Sequence, residues 1–151
     1  MTPLPDQVKR LIIENDLCVL ATAGDRGPHC SLMFYLADED CSHIFLATKK
    51  NTQKYQNICL NPAVSMLVDD RDKPKAPGRQ GVRALTLWGR ARPCSDQGQK
   101  QDILARIEAR HPHLAPITQD SQVEVIIVRL DSWQLLDGVD NVRLKKHTER
   151  L

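Results

Sequence analysis

Residues 48–54 combine hydroxyl groups and positive charges in one short segment, here called the lysine turn. Residues 45–47 just before it are apolar, as at the end of a strand, and a helical pattern follows to Leu60. The first turn of a helix has unpaired N–H groups and the positive end of the helix dipole, which together attract anions. Lysines would add full charges, and threonines would add hydroxyl donors. The candidate anion ligands are Thr48, Lys49, Lys50, Thr52 and Lys54.

Two interpretations of the lysine turn stay open. Lysines are common at strand ends and helix surfaces because they keep these regions solvated. Against that interpretation, lysine is unfavourable in the first turn of a helix by roughly 0.3–1 kcal/mol. No carboxylate lies between Thr48 and Leu60 to balance the three lysines, so an external anion such as a phosphate group is the other interpretation.

Other reactive side chains form no catalytic or metal-binding pattern. The five cysteines are odd in number, scattered and without a CxxC pair, so neither a disulfide framework nor a zinc site is expected. Cys18, Cys30 and Cys59 have apolar neighbours and are predicted to be small core residues. His111 and His113 fit the end of a helix better than a metal site.

The elements that must position the lysine turn are mostly short strands. The apolar residues of PDQVKRLIIEN have helical spacing and predict a first helix. A second helix is expected to be capped by Asn51 or Thr52, and a third by Ser95. Six strands are predicted, with the sequences LCVLATA, HCSLMFYLA, HIFLAT, AVSMLVDD, VRALTLWGRARP and VEVIIVRLDSWQLL. The polar tail from about residue 137 is left unassigned.

These elements predict one mainly β domain over residues 1–151, with peripheral helices. Short turns join most of the strands, which is typical of an antiparallel sheet or small barrel. No glycine-rich fingerprint follows the first strand, so a dinucleotide-binding Rossmann fold is not expected. The expected architecture is a six-stranded antiparallel barrel with two or three helices.

The overall charge argues against several classes of function. With 21 basic and 19 acidic residues among 151, the formal net charge is +2, too weak to draw the protein onto nucleic acid or anionic lipid. Aromatic residues make up 4%, too few for a surface that stacks single-stranded bases. Glu14, Asn15 and Asp16 interrupt the N-terminal apolar run, so we expect no signal peptide and no membrane span, and a cytoplasmic location.

The chain resembles the pyridoxamine 5′-phosphate oxidase-like family, the flavin-binding split barrels, over LCVLATAGDRGPHCSLMFYLADEDCSHIFLATKKNTQKYQNICLNPAVSMLVDD. The shared order is a strand of the LAT kind, a Gly–Pro turn, a strand like HCSLMFY, and an apolar strand that ends at threonine. A basic turn, a short helix and an NP-AVS-LV strand follow, and LTLWGRAR resembles a later strand of the family. The resemblance covers roughly residues 5–135 and implies a split β-barrel.

The resemblance also implies an FMN cofactor at the interface of a homodimer. The residues that would run beside the flavin ring are Ser31, Leu32 and Met33. Ala47 and Thr48 would contact the ring mainly through backbone groups. The ribityl phosphate would be held by Lys49, Lys50, Thr52 and Lys54. Trp88 would approach from the partner chain, and the strands around Trp88 and Trp133 would bury apolar surface in a two-fold interface.

Several positions depart from the dedicated oxidases of that family. Those enzymes place an arginine early in the second strand, where this chain has Cys30 and Ser31, and another where this chain has Gln53. The arginines and the histidine of the tail NVRLKKHTERL lack the spacing that binds pyridoxal phosphate. We therefore expect a shorter relative, not a dedicated pyridoxamine phosphate oxidase.

The expected function is FMN-dependent electron or hydride transfer to a small molecule. The electrons would come from a nicotinamide donor or a partner protein. The flavin carries the redox chemistry, so no catalytic acid or base is required from the chain. The alternative is a binding or carrier protein of the same fold that holds haem, the deazaflavin F420 or FMN without turnover. Haem would need an axial ligand, for which His29 and His43 are the candidates. Loop 71–81 is either a substrate contact or a solvated connector.

Overall fold

This computed structural model describes residues 3–73, 78, 80–138 and 141–145. These residues contain eight strands and four α-helices, joined by turns and loops. The helices are α1 (Asp6–Glu14), α2 (Gln53–Leu60), α3 (Gln97–Arg110) and α4 (Ala115–Thr118), with a short 3-10 turn at Pro112–Leu114. The strands are β1 (Leu17–Gly24), β2 (Gly27–Phe34), β3 (Leu36–Ala37), β4 (His43–Lys49), β5 (Ala63–Asp69), β6 (Arg83–Pro93), β7 (Val123–Asp137) and β8 (Asn141–Lys145).

All strand pairs are antiparallel, in the order β2-β1-β5-β6-β7-β4-β3, with β8 added beside β7. The predicted mainly β split barrel with peripheral helices is confirmed, although the number of strands is eight and not six. The predicted strand HCSLMFYLA is divided at Tyr35, because the chain there leaves β1 and begins to pair with β4. The unassigned tail supplies β8, which the sequence did not predict.

The long strand β7 holds the two halves of the sheet together. Its first half lies between β6 and β4, and its second half lies between β6 and β8. The register with β6 shifts between Trp88 and Gly89. A side chain at Gly89 would place its Cβ 2.3 Å from the carbonyl oxygen of Arg129, so only glycine fits this crossing.

The main core fills the inner face of the sheet beneath α1. The residues of α1 with helical spacing, Val8, Leu11 and Ile12, are buried there, as the sequence predicted. The hydroxyl of Tyr35 donates a hydrogen bond of 2.6 Å to the carbonyl oxygen of Ile12. The bend between β2 and β3 is therefore fixed to the end of α1.

A second core lies on the outer face, where α3 covers part of β4 and β7. Ile103, Leu104 and Ile107 of the helix pack with Phe45 and Ala47 of β4. The N-cap of α3 is Asp96, whose side chain accepts a 2.7 Å hydrogen bond from the backbone of Gln99, and not the predicted Ser95. The error is one residue, because both types are favoured at helix starts.

The cysteines divide differently from the prediction. Cys18 is buried as expected, and burial raises the pKa of its thiol to about 12. Cys30 and Cys59, which were predicted to be core residues, are exposed. Cys30 lies on β2 with its side chain on the exposed face of that strand, and Cys59 lies in the last turn of α2. Cys41 and Cys94 are the other buried thiols.

Candidate functional site

In the described part of the chain, two strands, β2 and β4, each leave one backbone edge unpaired, and the region between these two edges is here called the cleft. β2 pairs with β1 as far as Phe34, and β3 pairs with β4 at Leu36↔Phe45 and Ala37↔Ile44. Beyond Phe45, no described strand pairs with the edge of β4 that faces away from β7. The opposite edge of β2 is likewise unpaired among the described residues. Two strand edges with free backbone groups therefore diverge from the bend at Tyr35, and the β4 edge leads into the lysine turn.

The three predicted flavin-strand residues lie together on β2, although their side chains differ in environment. Leu32 is 70% exposed, Met33 is buried in the main core, and Ser31 is half-buried. The hydroxyl of Ser31 lies 3.4 Å from Nδ1 of His29. Because the side chains alternate between the two faces of the strand, the feature these residues share is the backbone edge along the cleft.

Ala47 and Thr48 line the opposite edge. Ala47 is buried beneath α3, and Thr48 is buried on the other face of the sheet. Their side chains are thus occupied by packing, which leaves mainly backbone groups for a ligand. The predicted mode of contact through the backbone is compatible with this geometry.

Hydrogen bonds within the turn use the threonine hydroxyls. Of the two predicted cap residues, Thr52 is the N-cap of α2. Its hydroxyl accepts a 3.4 Å hydrogen bond from the backbone N–H of Tyr55. Its own hydroxyl proton is donated to the carbonyl oxygen of Lys49 at 2.8 Å. A hydroxyl has a single proton, so Thr48 is the donor in the 3.1 Å contact between the two hydroxyls. Both threonines therefore shape the turn, and their hydroxyls are already engaged.

Two of the three lysines are paired with carboxylates from distant positions in the sequence. Lys49 Nζ lies 3.2 Å from Asp120 Oδ2, and Lys50 Nζ lies 3.3 Å from Glu124 Oε1. The backbone N–H of Lys50 also donates to the carbonyl oxygen of Gln122. Both carboxylates lie far beyond Leu60 in the sequence, and the pairing of β4 with β7 brings them to the turn, so the predicted lack of a balancing carboxylate is wrong for Lys49 and Lys50.

Lys54, the third lysine of the turn, has a different environment from Lys49 and Lys50. It is half-buried, and no ion pair to it occurs among the described residues. Burial lowers the pKa of its ammonium group below the usual 10.5. Lysine in this position also opposes the helix dipole, since it is the second residue of α2. An unpaired and partly desolvated ammonium group at this position lowers the stability of the fold. Its presence is therefore hard to explain if the lysine turn serves only to keep the surface solvated.

The two tryptophans occupy different environments. Trp88 is 37% exposed on the outer face of β6, opposite Ser65 of β5 and Ser132 of β7. Trp133 is 8% exposed in the main core, and its Nε1 donor has no hydrogen-bond partner among the described residues. Within one chain, β1 and β5 separate Trp88 from β2, and β7 separates it from β4. A single chain therefore does not bring Trp88 to the lysine turn.

Ser42, His43 and Asp38 form a cluster with the residue types of a hydrolase triad. His43 Nδ1 lies 2.9 Å from Asp38 Oδ2 and 2.9 Å from Ser42 Oγ. A triad needs the serine and the carboxylate on different ring nitrogens, so this arrangement cannot relay a proton between them. It stabilises the turn before β4.

The remaining candidates are not brought to the cleft. His111 is buried at the end of α3, and its Nε2–H donates to the carbonyl oxygen of Tyr35 at 3.0 Å. Part of loop 71–81 lies outside the described residues, as do His147 and Arg150 of the tail. Among the described residues, no group of three or more His, Cys, Asp or Glu side chains could hold a metal ion.

None of the helices described has both the length and the apolar character needed to cross a bilayer.

Comparison with known structures identifies the fold. A haem-binding protein from Mycobacterium smegmatis superposes with a TM-score of 0.80 over 94% of this chain and 57% of its own, at 14% identity. An FAD-binding protein from Mesorhizobium loti superposes with a TM-score of 0.66 over 85% of this chain and 89% of its own, at 17% identity. At these identities the likeness concerns the fold, and proteins of this fold differ in the cofactor that they bind.

Sequence comparison gives the family. A pyridoxamine 5′-phosphate oxidase homologue from Schizosaccharomyces pombe is 40% identical over a 76-residue alignment, and the match covers 44% of this chain and 39% of the relative. The match thus spans well under half of that relative. The family model described as pyridoxamine 5′-phosphate oxidase matches residues 4–137, which include the cleft, the lysine turn and most of the sheet. The chain therefore belongs to the pyridoxamine 5′-phosphate oxidase family.

Proposed function

We propose that this chain binds FMN in the cleft between β2 and β4 and acts as a homodimeric, flavin-dependent oxidoreductase on a small molecule. The observation that carries the proposal is Lys54, a half-buried cation without a carboxylate partner at the start of α2. The family match and an FAD-binding structural relative support a flavin as the ligand.

The lysine turn fits a phosphate monoester. Lys54 supplies an unpaired charge, and the first turn of α2 supplies backbone N–H groups with the positive end of the dipole. Lys49 and Lys50 add donors whose charge is partly offset by Asp120 and Glu124. A bound phosphate would compensate the desolvation of Lys54, since a charged group is stabilised by an opposite charge nearby.

The diverging strand edges fit a flat ring that carries both hydrogen-bond donors and acceptors. Unpaired backbone N–H and C=O groups on β2 and β4 require partners if a ligand covers them. The imide-like edge of a flavin offers such partners. Residues 31–33 and 47–48 would therefore orient the ring through the backbone, while the side chains of Met33, Ala47 and Thr48 stay buried in the protein.

The outer face of the sheet fits a second copy of the chain. The register places Leu32, Val19 and Leu67 side by side across β2, β1 and β5. The next row contains Cys30, Ala21, Ser65 and Trp88. No described helix covers these rows, in contrast to the part beneath α3. Large exposed apolar areas of this kind commonly mark an interface between chains.

When bound, FMN would supply the acceptance and transfer of hydride or single electrons. The residues of the chain would anchor the phosphate, align the ring and limit access of water. No side chain of the described cleft has the geometry of a general acid or base, so substrate choice would depend on shape and on the partner chain.

Haem is the second candidate because His29 lies on the strand that borders the cleft. His29 is half-buried and makes only a long contact with Ser31, whereas His43 is engaged by Asp38 and Ser42. A structural relative is a haem-binding protein. His29 is therefore the better placed axial ligand of the two histidines considered.

The test is the absorption spectrum of the freshly purified protein, followed by heat release and mass measurement of any cofactor. The expected result is an oxidised flavin spectrum and the mass of FMN, or uptake of added FMN by a colourless preparation. A Soret band that is lost in His29→Ala would favour haem instead. A protein that binds neither FMN nor haem would overturn the proposal.

Sedimentation equilibrium tests the homodimer separately. We expect a dimer in the flavin-bound protein and a shift towards monomer in Leu32→Asp. Ile13→Asp is the control, because Ile13 is also exposed and apolar but lies on α1, away from these rows. A flavin-bound monomer would overturn the proposed interface.

A further inference from the structure

We propose that Lys100 of α3 is a positioning residue of the anion site, which acts by sharing the carboxylate of Glu124 with Lys50. This inference rests on the proposed binding of a flavin phosphate at the lysine turn. Nothing in the sequence around the turn points to Lys100, which is brought there by the fold.

The three side chains meet at a single oxygen atom. Lys50 Nζ lies 3.3 Å from Glu124 Oε1, and Lys100 Nζ lies 3.4 Å from the same atom. Glu124 is opposite Thr48 in the β4–β7 register, so its side chain leaves the sheet on the same face as Thr48. The carboxylate thus lies at the base of the lysine turn.

Burial makes this sharing energetically important. The side chains of Glu124 and Lys100 are 11% and 12% exposed, whereas that of Lys50 is 55% exposed. A charge in such surroundings is costly unless it is paired. Without Lys100, the only described lysine in contact with Glu124 would be Lys50, whose charge would then be fully offset. With Lys100 present, one negative charge is divided between two cations.

The charges around the turn match those of a phosphate monoester. The four lysines are Lys49, Lys50, Lys54 and Lys100, and the two carboxylates are Asp120 and Glu124. The surplus is two positive charges, whereas a phosphate monoester carries about −1.5 to −2 at pH 7. Removal of Lys100 would halve that surplus without removing any group from the turn itself.

A purely structural role for Lys100 makes a different prediction. If the Lys100–Glu124 pair only fastened α3 to β7, its loss would lower the free energy of unfolding but would not change the discrimination between phosphorylated and unphosphorylated flavins. The ratio of the Kd values of riboflavin and FMN therefore separates the two roles, because the ligands differ only in the phosphate.

The experiment compares Lys100→Met with the wild-type chain of 151 residues by fluorescence titration with FMN and riboflavin. We expect the Kd of FMN to rise roughly fivefold to tenfold, less than the loss of a direct charge-assisted contact. The Kd of riboflavin should stay within twofold, and Lys100→Arg should restore FMN binding. Lys9→Met is the matched control, because it removes the same charge near Cys41, at the other end of β4.

A double-mutant cycle tests the route through Glu124. In a Glu124→Gln background, Lys100 has no carboxylate to share, and Lys100→Met should raise the Kd of FMN by a clearly smaller factor than it does in the wild-type background, whereas an equal factor in the two backgrounds would overturn the route through Glu124. If Lys100→Met does not fold, Lys100→Gln replaces it in both arms, with thermal unfolding recorded for each variant.

The outcomes distinguish this inference from the proposed function. A wild-type chain that prefers FMN over riboflavin, with the same preference in Lys100→Met, overturns the role of Lys100 and leaves the phosphate site intact. A wild-type chain that binds the two flavins equally, or neither of them, overturns the phosphate site and the role of Lys100 with it.

Discussion

The two ends of β4 carry charged turns that are built in opposite ways. Residues 38–43, here called the acidic turn, precede the strand, and the lysine turn follows it. In the acidic turn, Asp38 accepts hydrogen bonds from Ser42 Oγ at 3.0 Å and from the backbone and ring nitrogens of His43 at 2.9 Å each. Every one of these partners of Asp38 lies within five positions of it in the sequence.

The lysine turn, in contrast, is completed by residues from other elements. Asp120 and Glu124 reach it from the segment around the start of β7, and Lys100 reaches Glu124 from α3. Even then Lys54 has no carboxylate partner among the described residues. The local hydrogen bonds of Asp38 are explained by stability alone, whereas a half-buried cation without a carboxylate partner supports the proposed phosphate site.

Among the replacements in the two turns, that of Lys54 is expected to have the largest effect on the affinity for FMN. Lys54→Met removes the unpaired cation, so the Kd of FMN should rise roughly 10- to 100-fold, the value of one charge-assisted hydrogen bond. Fluorescence titration measures this change. Lys9→Met is the matched control on α1. Lys54 is a cleaner position than Thr52, since Thr52→Ala would also remove the cap of α2. Unchanged FMN affinity in Lys54→Met would contradict the phosphate site.

Lys54 should also make both the stability of the apo protein and its affinity for FMN depend on pH. Burial places the pKa of Lys54 in the folded apo chain below its usual 10.5, so the unfolded chain binds more protons between the two values. The stability of the apo protein relative to Lys54→Met should therefore rise with pH through that window, while affinity for FMN falls as the ammonium group is lost. Urea unfolding and FMN titration at a series of alkaline pH values measure the two trends, and parallel trends would contradict this explanation.

Replacement of Asp38 should produce the opposite pattern. Asp38→Ala removes the acceptor of three hydrogen bonds and should lower the free energy of unfolding by about 1–3 kcal/mol. The Kd of FMN should stay within twofold of the wild-type value. Glu39→Ala, in the same turn, has no described hydrogen bond to lose and serves as the control. A large loss of FMN affinity in Asp38→Ala would mean that the two turns are not independent.

The thiol of Cys41 reports opening of the acidic turn. Cys41 is fully buried with a φ of 58°, and burial raises the pKa of its thiol. A thiol reagent should label the exposed Cys59 quickly and the buried Cys41 slowly in the native protein, and Asp38→Ala should accelerate labelling of Cys41. Peptide mass analysis follows each site. Fast labelling of Cys41 in the wild-type protein would contradict a closed turn.

Replacement of Asp120 should have the smallest effect. Hydrogen bonding by Gln122 and the nearby Lys49 lower the pKa of the Asp120 carboxyl. Its contribution should therefore be present near neutral pH and lost as the pH falls below the usual 3.8. Asp120→Asn should lower stability only slightly and tighten FMN binding about twofold, because Lys49 loses its counter-charge. Looser FMN binding in Asp120→Asn would contradict that account.

The fold could be predicted from the sequence where the signals are local. The helical spacing of Val8, Leu11 and Ile12 placed α1, and Thr52 was among the predicted caps of α2. The exposure of Cys30 could not be predicted, because an apolar neighbourhood does not reveal which strand lies at the end of the sheet. β8 was missed because its strand character depends on pairing with β7.

The surroundings of the lysine turn could be predicted only in part, for the same reason. The lysine turn is contiguous in the sequence, and its residue types indicate an anion. Glu124 and Lys100 join it only through the register of β4 with β7 and the packing of α3. Neither the register of the two strands nor the packing of the helix produces a periodic pattern in the sequence. Residue spacing therefore could not show that two of the three lysines have carboxylate partners.

The diverging edges of β2 and β4 also affect how the protein behaves without a ligand. An unpaired strand edge is a template on which another strand can add, and this is a common origin of aggregation. Leu32, which is 70% exposed, lies on β2 beside its unpaired edge. A molecule seated between the two edges would cover these backbone groups, so the chain without it should self-associate more readily than the chain that holds it.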